Sequence, residues 1–162
     1  MKRIIFISLF ILSGQLLNAQ ANDSAGVIKL IEAFRVSLGN GDAKTFSNLF
    51  AEDADFTNVV DSSIHGRENI YKHHINVFAN RSPTRTIHVP SYTMRFLKPD
   101  IAAAEIRWDN IHTMGADGKT LPDRDGVWIC VMTKENGKWY FKVVRNVFLH
   151  DGTPGHELKD SR

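Results

Sequence analysis

Apolar residues in the first half of the chain recur every three or four positions, which is the spacing of one face of an α-helix. A first helix is predicted to begin at Asp23 or Ser24, whose side chains can cap it, and to end at the Gly-Asn-Gly of 39–41. Similar patterns predict a short second helix after Asp42 and a third helix that opens at 66–68. The apolar face of the first helix comprises Val27, Leu30, Ile31, Phe34 and Leu38, and that of the second comprises Phe46, Leu49 and Phe50.

The second half of the chain is dominated by long extended segments separated by turn signals. An early strand is predicted at 53–60, and the later strands are predicted at 86–97, 101–113, 126–134 and 139–150. Consecutive strands joined by tight turns form an antiparallel sheet, and helices gathered at one end of a sequence pack on one face of it. The sequence therefore predicts an α+β fold: a strongly curved antiparallel sheet wrapped around three helices from the N-terminal half, a cone with an internal pocket.

The chain divides into three predicted parts. Lys2 and Arg3 precede an apolar run at 4–12, and a small-x-small site follows at 19–21. This pattern is typical of a signal peptide, and the apolar run is shorter than the ~20 residues that a membrane span needs. We therefore expect residues 1–21 to be a signal peptide, with export to the periplasm or secretion. Residues 22–150 are predicted to form one domain, 151–162 a flexible tail, and 114–125 a mobile loop.

Charge and cysteine content narrow the range of partners. The chain has 20 Lys and Arg against 18 Asp and Glu, and two of the basic residues lie in the predicted signal peptide. The remaining part is balanced, which predicts no nucleic-acid binding and, after cleavage, no membrane association. Cys130 is the only cysteine and lies between apolar neighbours, so it is predicted to be a buried apolar residue that forms no internal disulfide.

Several short segments resemble those of SnoaL-like proteins, in particular the SgcJ/EcaC-type branch of the nuclear-transport-factor-2-like superfamily. The segments that carry the resemblance are 33–42, 49–56, 66–70, 107–108 and 136–146. The resemblance extends over about 24–150 and implies the same cone-shaped fold. It leaves the activity open, because this superfamily contains isomerases, hydrolases, cyclases, dehydratases and proteins without catalysis.

Two residues are candidates for catalysis. His74 shares the apolar face of the third predicted helix with Ile70, Val77 and Phe78, so it should point into the pocket, where an imidazole can transfer protons. The alternative is a core histidine bonded to a backbone carbonyl or to an asparagine. Asp55 is a candidate general base, although an Asp at the start of a strand is commonly solvated.

Five further residues are candidates for ligand binding: Asn58, Phe56, Trp108, Asn146 and Arg67. The resemblance places its own pattern on Asn58, His74, Trp108 and Asn146. Each asparagine needs a partner if it is buried, and that partner could be a ligand, His74 or the backbone. Trp108 could equally be a core residue, and Arg67 could form a surface ion pair.

Neither a metal nor a cofactor is predicted. The histidines lack the spacing of a zinc site, and His73 is expected to face solvent because it lies about 100° around the helix from His74. No phosphate-binding loop, nucleophile elbow or dinucleotide fingerprint is present in the sequence.

These observations support two functional hypotheses. The first is an exported domain that binds a small hydrophobic or polar organic ligand, with cofactor-independent enzyme chemistry of the proton-transfer or hydrolytic type. The second is a non-catalytic dimerisation or association module. A homodimer formed through the sheet is expected in either case, because both faces of the last predicted strand carry large apolar residues.

Overall fold

The computed structural model describes residues 23–59, 62–79, 86–110, 117–120 and 122–150. The predicted signal peptide at 1–21 and the predicted tail at 151–162 lie outside the described residues, as do residues 114–116 and 121 of the predicted loop at 114–125. No helix among the described residues is both long and apolar enough to cross a membrane.

Three helices are present among the described residues, as the periodicity predicts. They are α1 (23–40), α2 (Ala43–Ser47) and α3 (Arg67–Ala79). The predicted apolar face of α1 is buried from Val27 to Phe34. Gly41 adopts a positive φ of 69° after α1, and Asp42 then caps α2 by accepting a hydrogen bond from the Thr45 N–H. Hydrogen bonds from the Thr45 side chain and from the Thr45 N–H lower the pKa of the Asp42 carboxyl.

Six strands form one sheet. They are β1 (Phe50–Thr57), β2 (Ser63–His65), β3 (His88–Lys98), β4 (Ile101–Asn110), β5 (Arg124–Glu135) and β6 (Lys138–His150), and their order across the sheet is β2-β1-β6-β5-β4-β3. The first strand starts earlier than predicted, because Phe50 belongs to β1 and not to the second helix. The α+β cone with helices from the N-terminal half is confirmed.

The sheet departs from the antiparallel expectation at one junction. Four strand pairs are antiparallel: β1–β2, β3–β4, β4–β5 and β5–β6. The remaining pair, β1–β6, is parallel. No hairpin connects β1 to β6, so no turn sets their relative direction. The β1–β6 register also shifts between Phe50 and Asp55, and the strand is irregular there.

A group of aromatic rings fills the space between the helices and the sheet. Phe34 of α1 lies at its centre, with ring centroids 4.9 Å from Phe46, 4.8 Å from Trp128 and 4.9 Å from Phe141. Cys130 is buried beside this group, and burial raises the pKa of its thiol, so it remains protonated and acts as an apolar residue.

Candidate functional site

A cavity of about 270 Å³ lies between the helices and the concave face of the sheet. Most of its wall is apolar or aromatic. The apolar lining residues are Phe34, Leu38, Phe56, Val59, Val77, Ile87, Trp108 and Trp128. The polar lining residues are Asn58, His73, His74 and Asn146. A largely apolar cavity with a few polar groups is the usual form of a small-molecule site.

His74 lies on α3 and is 3% exposed. Its Nδ1 is 2.7 Å from the carbonyl oxygen of Ile70, one turn earlier on the same helix. A carbonyl oxygen can only accept, so Nδ1 carries a proton and donates it. In the neutral ring Nε2 is then the acceptor. The backbone of Ile70 therefore holds the tautomer, which is the backbone-carbonyl contact of the core-histidine alternative.

Aromatic rings fix the position of the His74 imidazole. Its centroid lies 4.3 Å from that of Phe46, 5.0 Å from Phe56 and 5.2 Å from Phe78. These rings come from α2, β1 and α3, so three elements converge on one imidazole. A ring packed in this way has little freedom to change rotamer, which favours a defined hydrogen-bonding direction.

Trp108 and Asn146 meet on the opposite wall of the cavity. The indole Nε1 of Trp108 donates to Oδ1 of Asn146 over 3.1 Å. Trp108 also stacks on Trp128, with centroids 5.9 Å apart and an angle of 20° between the rings. Trp108 is thus both a buried core residue and a cavity-lining residue, the two alternatives that the sequence left open.

Asn58 lines the cavity from the turn that follows β1, and not from within the strand as predicted. Its Oδ1 accepts a hydrogen bond from the Ser62 N–H over 3.0 Å, and its own N–H donates to the Ser62 carbonyl over 3.1 Å. The side-chain oxygen is thus engaged in closing the connection between β1 and β2.

His73 lines the same cavity, although the sequence predicted that it faces solvent. It is half-buried, and its ring centroid lies 5.1 Å from that of His74. Neighbouring residues lie about 100° apart around a helix, so a cavity that borders α3 can contact both side chains. The adjacent histidines at 73 and 74 were the only sign of this in the sequence, and only His74 was predicted to face the cavity.

Asp55 lies outside the cavity lining. Residues alternate between the two faces of β1, and Phe56 occupies the concave side, so Asp55 points to the convex side. There its Oδ1 lies 2.8 Å from Nδ1 of His65, with the Asp55 side chain 46% exposed. The structure therefore does not bring Asp55 together with His74 in the cavity.

Arg67 also lies away from the cavity, at the start of α3. Its Nε donates to the carbonyl of Phe50 over 2.7 Å, at the irregular end of β1. Its guanidinium lies 5.6 Å from the centre of the Tyr140 ring. The β1 irregularity provides the acceptor for Arg67, and this feature has no signature in the sequence.

The cavity is electrically neutral apart from its two histidines. Among the lining residues that the structure describes, none is Asp, Glu, Lys or Arg. A charged ligand placed there would lose its hydration without gaining an opposite charge, which is strongly unfavourable. The described residues also contain no group of three or more potential metal ligands. The arrangement therefore favours a neutral organic ligand.

A curved sheet closed on three helices around an internal cavity is the cone of the nuclear-transport-factor-2-like proteins. Within that class, the SnoaL-like domain family matches residues 19–145, and the chain belongs to this family. The finer assignment to the SgcJ/EcaC-type branch stays a prediction. No curated protein matches the chain by sequence.

Solved structures share the fold at low sequence identity. A Novosphingobium aromaticivorans protein provisionally named scytalone dehydratase has a TM-score of 0.72 and 16% identity, covering 83% of this chain and 89% of that chain. The hexachlorocyclohexane dehydrochlorinase LinA-type3 of Novosphingobium barchaimii LL02 has a TM-score of 0.72 and 13% identity, and the match covers 82% of this chain and 90% of that chain. A Xanthomonas campestris protein provisionally named as a calcium/calmodulin dependent protein kinase II association domain has a TM-score of 0.66 and 19% identity. The match covers 77% of this chain and 86% of that chain.

Proposed function

We propose that this SnoaL-like domain binds a small, neutral, mostly apolar organic molecule in its cavity, and that His74 is the main polar contact. In this proposal His74 accepts a hydrogen bond or a proton from the ligand through Nε2. The chemistry that the site supports is cofactor-independent proton transfer. Asp55 and Arg67 have no part in it, because both lie outside the cavity lining.

The observation that carries the proposal is the fixed orientation of the His74 ring. Its Nδ1 donates to the Ile70 carbonyl, so the protonated nitrogen faces its own helix and the acceptor nitrogen lies on the other edge of the ring. The ring contributes to the wall of the cavity. A positioned imidazole is a suitable general base, because the ring nitrogen that carries no hydrogen can take up a proton from a bound ligand.

The names of two structural neighbours are consistent with this chemistry. One is provisionally named a dehydratase and another is a dehydrochlorinase. Loss of water or of hydrogen chloride from a carbon skeleton requires that a base remove a proton. The similarity to these proteins is a similarity of fold, and their substrates are not assigned to this chain.

The proposal is tested by binding of neutral one-ring compounds to the purified protein. Toluene, phenol and acetophenone are small enough for a cavity of about 270 Å³. We expect dissociation constants on the order of 1 mM, which corresponds to about −4 kcal/mol and is reasonable for ligands of this size. Ligand-observed NMR is the measurement, and benzoate serves as a charged control that should bind much more weakly. If none of the neutral compounds binds, the proposal is wrong.

A second candidate function is association through the convex face of the sheet. Ile129 and Val147 are 50% and 43% exposed there. Ile129 has Glu105 beside it on β4 and Arg145 beside it on β6. Glu105 also forms an ion pair with Arg107 over 3.2 Å. An apolar centre flanked by charges of both signs can still pair with its own copy about a twofold axis, so a second copy of the chain is the partner that it fits. The neighbour named as an association domain supports this candidate.

We therefore expect a homodimer whose interface contains Ile129. Light scattering at micromolar concentration should give twice the chain mass for the parent protein. Ile129→Glu should give the mass of a single chain, because it places a buried charge in each half of the interface. Ile28→Glu is the matched control, since Ile28 is 42% exposed on α1 and should leave the dimer intact. A monomeric parent protein would remove this candidate.

We also propose that the protein is exported and that its signal peptide is removed. The support is the basic start, the apolar run at 4–12 and the small-residue site at 19–21. Mass spectrometry of the protein purified from its native host should show a chain that begins close to Gln20 or Asn22. A mature chain that retains Met1 would refute the proposal.

A further inference from the structure

The hydrogen bond between Trp108 and Asn146 connects two strands that are not neighbours. Trp108 lies on β4 and Asn146 on β6, and β5 runs between them. Adjacent strands are spaced by ~4.8 Å, so the Trp108 side chain has to extend across the whole width of β5. The β5 residue opposite Trp108 in the β4–β5 register is Gly126.

Gly126 leaves the space through which the indole passes. A Cβ atom at this position would overlap Cζ2 of Trp108 and would lie 2.5 Å from the carbonyl oxygen of Val147. Real Cβ atoms do not approach backbone oxygens so closely, and the backbone of β6 is held by the sheet. A larger residue at position 126 would therefore have to displace the Trp108 indole and also shift the β5–β6 pairing beside Val147.

This contact determines which end of the Asn146 amide can bind a ligand. An indole N–H is a donor only, so the Asn146 atom at 3.1 Å must be the oxygen. The side-chain NH2 group of Asn146 is consequently the end that remains for other contacts. Asn146 is half-buried and lines the cavity, so its NH2 group is a hydrogen-bond donor at the cavity wall.

We propose that Trp108 is a positioning residue that fixes the Asn146 amide as a donor. The absence of a side chain at Gly126 allows the indole to reach Asn146. The cavity is then selective for neutral ligands with an acceptor oxygen, such as the carbonyl of a one-ring ketone or aldehyde. This inference rests on the proposed function, because it assigns one polar end of the same ligand. His74 Nε2 is an acceptor, and Asn146 Nδ2 is a donor, so the two walls contribute opposite hydrogen-bonding roles.

The test compares acetophenone with cumene, a hydrocarbon of nearly the same shape that lacks the carbonyl oxygen. The measured quantity is the ratio of their association constants for each protein variant. Trp108→Phe keeps an aromatic ring but removes the N–H, and we expect the acetophenone preference to fall about threefold to tenfold, the range of one neutral hydrogen bond. Trp139→Phe is the matched control, because Trp139 lies outside the cavity lining and its indole N–H donates to Asp23 and not to Asn146.

A spectroscopic readout separates positioning from a structural role. In ¹⁵N–¹H spectra, acetophenone should shift the side-chain NH2 resonances of Asn146 in the parent protein and in Trp139→Phe. In Trp108→Phe this shift should be lost, because the amide is no longer held in one orientation. An acetophenone shift at Asn146 in Trp108→Phe that equals that of the parent would overturn the inference.

Two further variants keep the inference testable if Trp108→Phe does not fold. Asn146→Asp retains an oxygen for the Trp108 N–H but carries no donor at neutral pH, so its acetophenone preference should fall by at least the same factor. Gly126→Ala should also lower the acetophenone preference, because the added Cβ displaces the indole, and it should lower the melting temperature as well, because the same Cβ meets the Val147 carbonyl. A parent-like preference in Asn146→Asp would overturn the inference.

The two compounds also distinguish this inference from the proposed function. If both bind the parent protein but the variants do not show the expected differences, this inference fails and the proposed function stands. If neither compound binds the parent protein, both fail.

Discussion

Replacing His74 with glutamine is expected to leave the protein folded and to weaken its binding of phenol about threefold to tenfold, the range of one neutral hydrogen bond. Glutamine can still donate to the Ile70 carbonyl, so the helix contact seen for His74 Nδ1 has a replacement. With its NH2 group on the Ile70 carbonyl, the glutamine oxygen is still an acceptor, but it does not take the place of Nε2 in the ring and is not a base. The measurements are the melting temperature and the affinity for phenol by NMR titration. His65→Gln is the control, because the His65 side chain is 73% exposed on the convex face.

His74→Ala separates the structural contribution of the ring from its role in binding. Removing the buried imidazole leaves space among three phenylalanine rings, and we expect the free energy of unfolding to decrease by about 1–3 kcal/mol. His74→Gln should recover most of that loss without recovering binding. If His74→Gln binds phenol as tightly as the parent does, His74 is a core residue and the site assignment is wrong.

The largest effect on stability is expected for Phe34→Ala, which should lower the free energy of unfolding by about 3–5 kcal/mol. Phe34 is 1% exposed and contacts the rings of Phe46, Trp128 and Phe141, so its removal leaves a void that α1, α2 and the sheet all border. Urea denaturation of the parent and the variant, analysed with the midpoint and the slope, gives the difference.

Two controls accompany the Phe34 measurement. Phe34→Leu keeps most of the buried volume and should cost clearly less than Phe34→Ala. Ile28→Ala lies on the exposed face of the same helix, so it should change the free energy of unfolding by no more than about 0.5 kcal/mol. A loss below about 1 kcal/mol for Phe34→Ala would show that the aromatic group is not the centre of the core.

The helices and most strands could be predicted from local patterns, because the spacing of apolar residues directly reflects the buried face of an element. The α1 face illustrates this: the positions at helical spacing from Val27 to Phe34 are buried in the structure. The parallel pairing of β1 with β6 could not be predicted in this way. It depends on how the two ends of the domain meet in space, and no turn between β1 and β6 records it.

The cavity was predictable only in part, for a similar reason. His74 lies on the concave side because its helical face is apolar. Asp55 was proposed alongside Phe56 because the sequence did not reveal which side of β1 faces the helices, and the structure places only Phe56 on the cavity. Arg67 is directed to the Phe50 carbonyl by an irregularity in β1, which arises from tertiary pairing.

The role of Gly126 was likewise absent from the sequence-based predictions. A glycine inside a strand indicates a close approach by another group, but the sequence does not identify that group. In the structure it is the indole of Trp108, which crosses β5 to reach Asn146. This contact joins three strands, so only their register reveals it.

The most direct test of the account is the location of a bound neutral probe. Intermolecular nuclear Overhauser effects should be measured between acetophenone and the side chains of the purified protein. We expect contacts from the acetophenone ring to Trp108 and Phe56, and from its methyl group or ring to His74, all of which line the cavity. Contacts confined to Ile129 and Val147 on the convex face of the sheet would contradict the proposal that the cavity is the binding site.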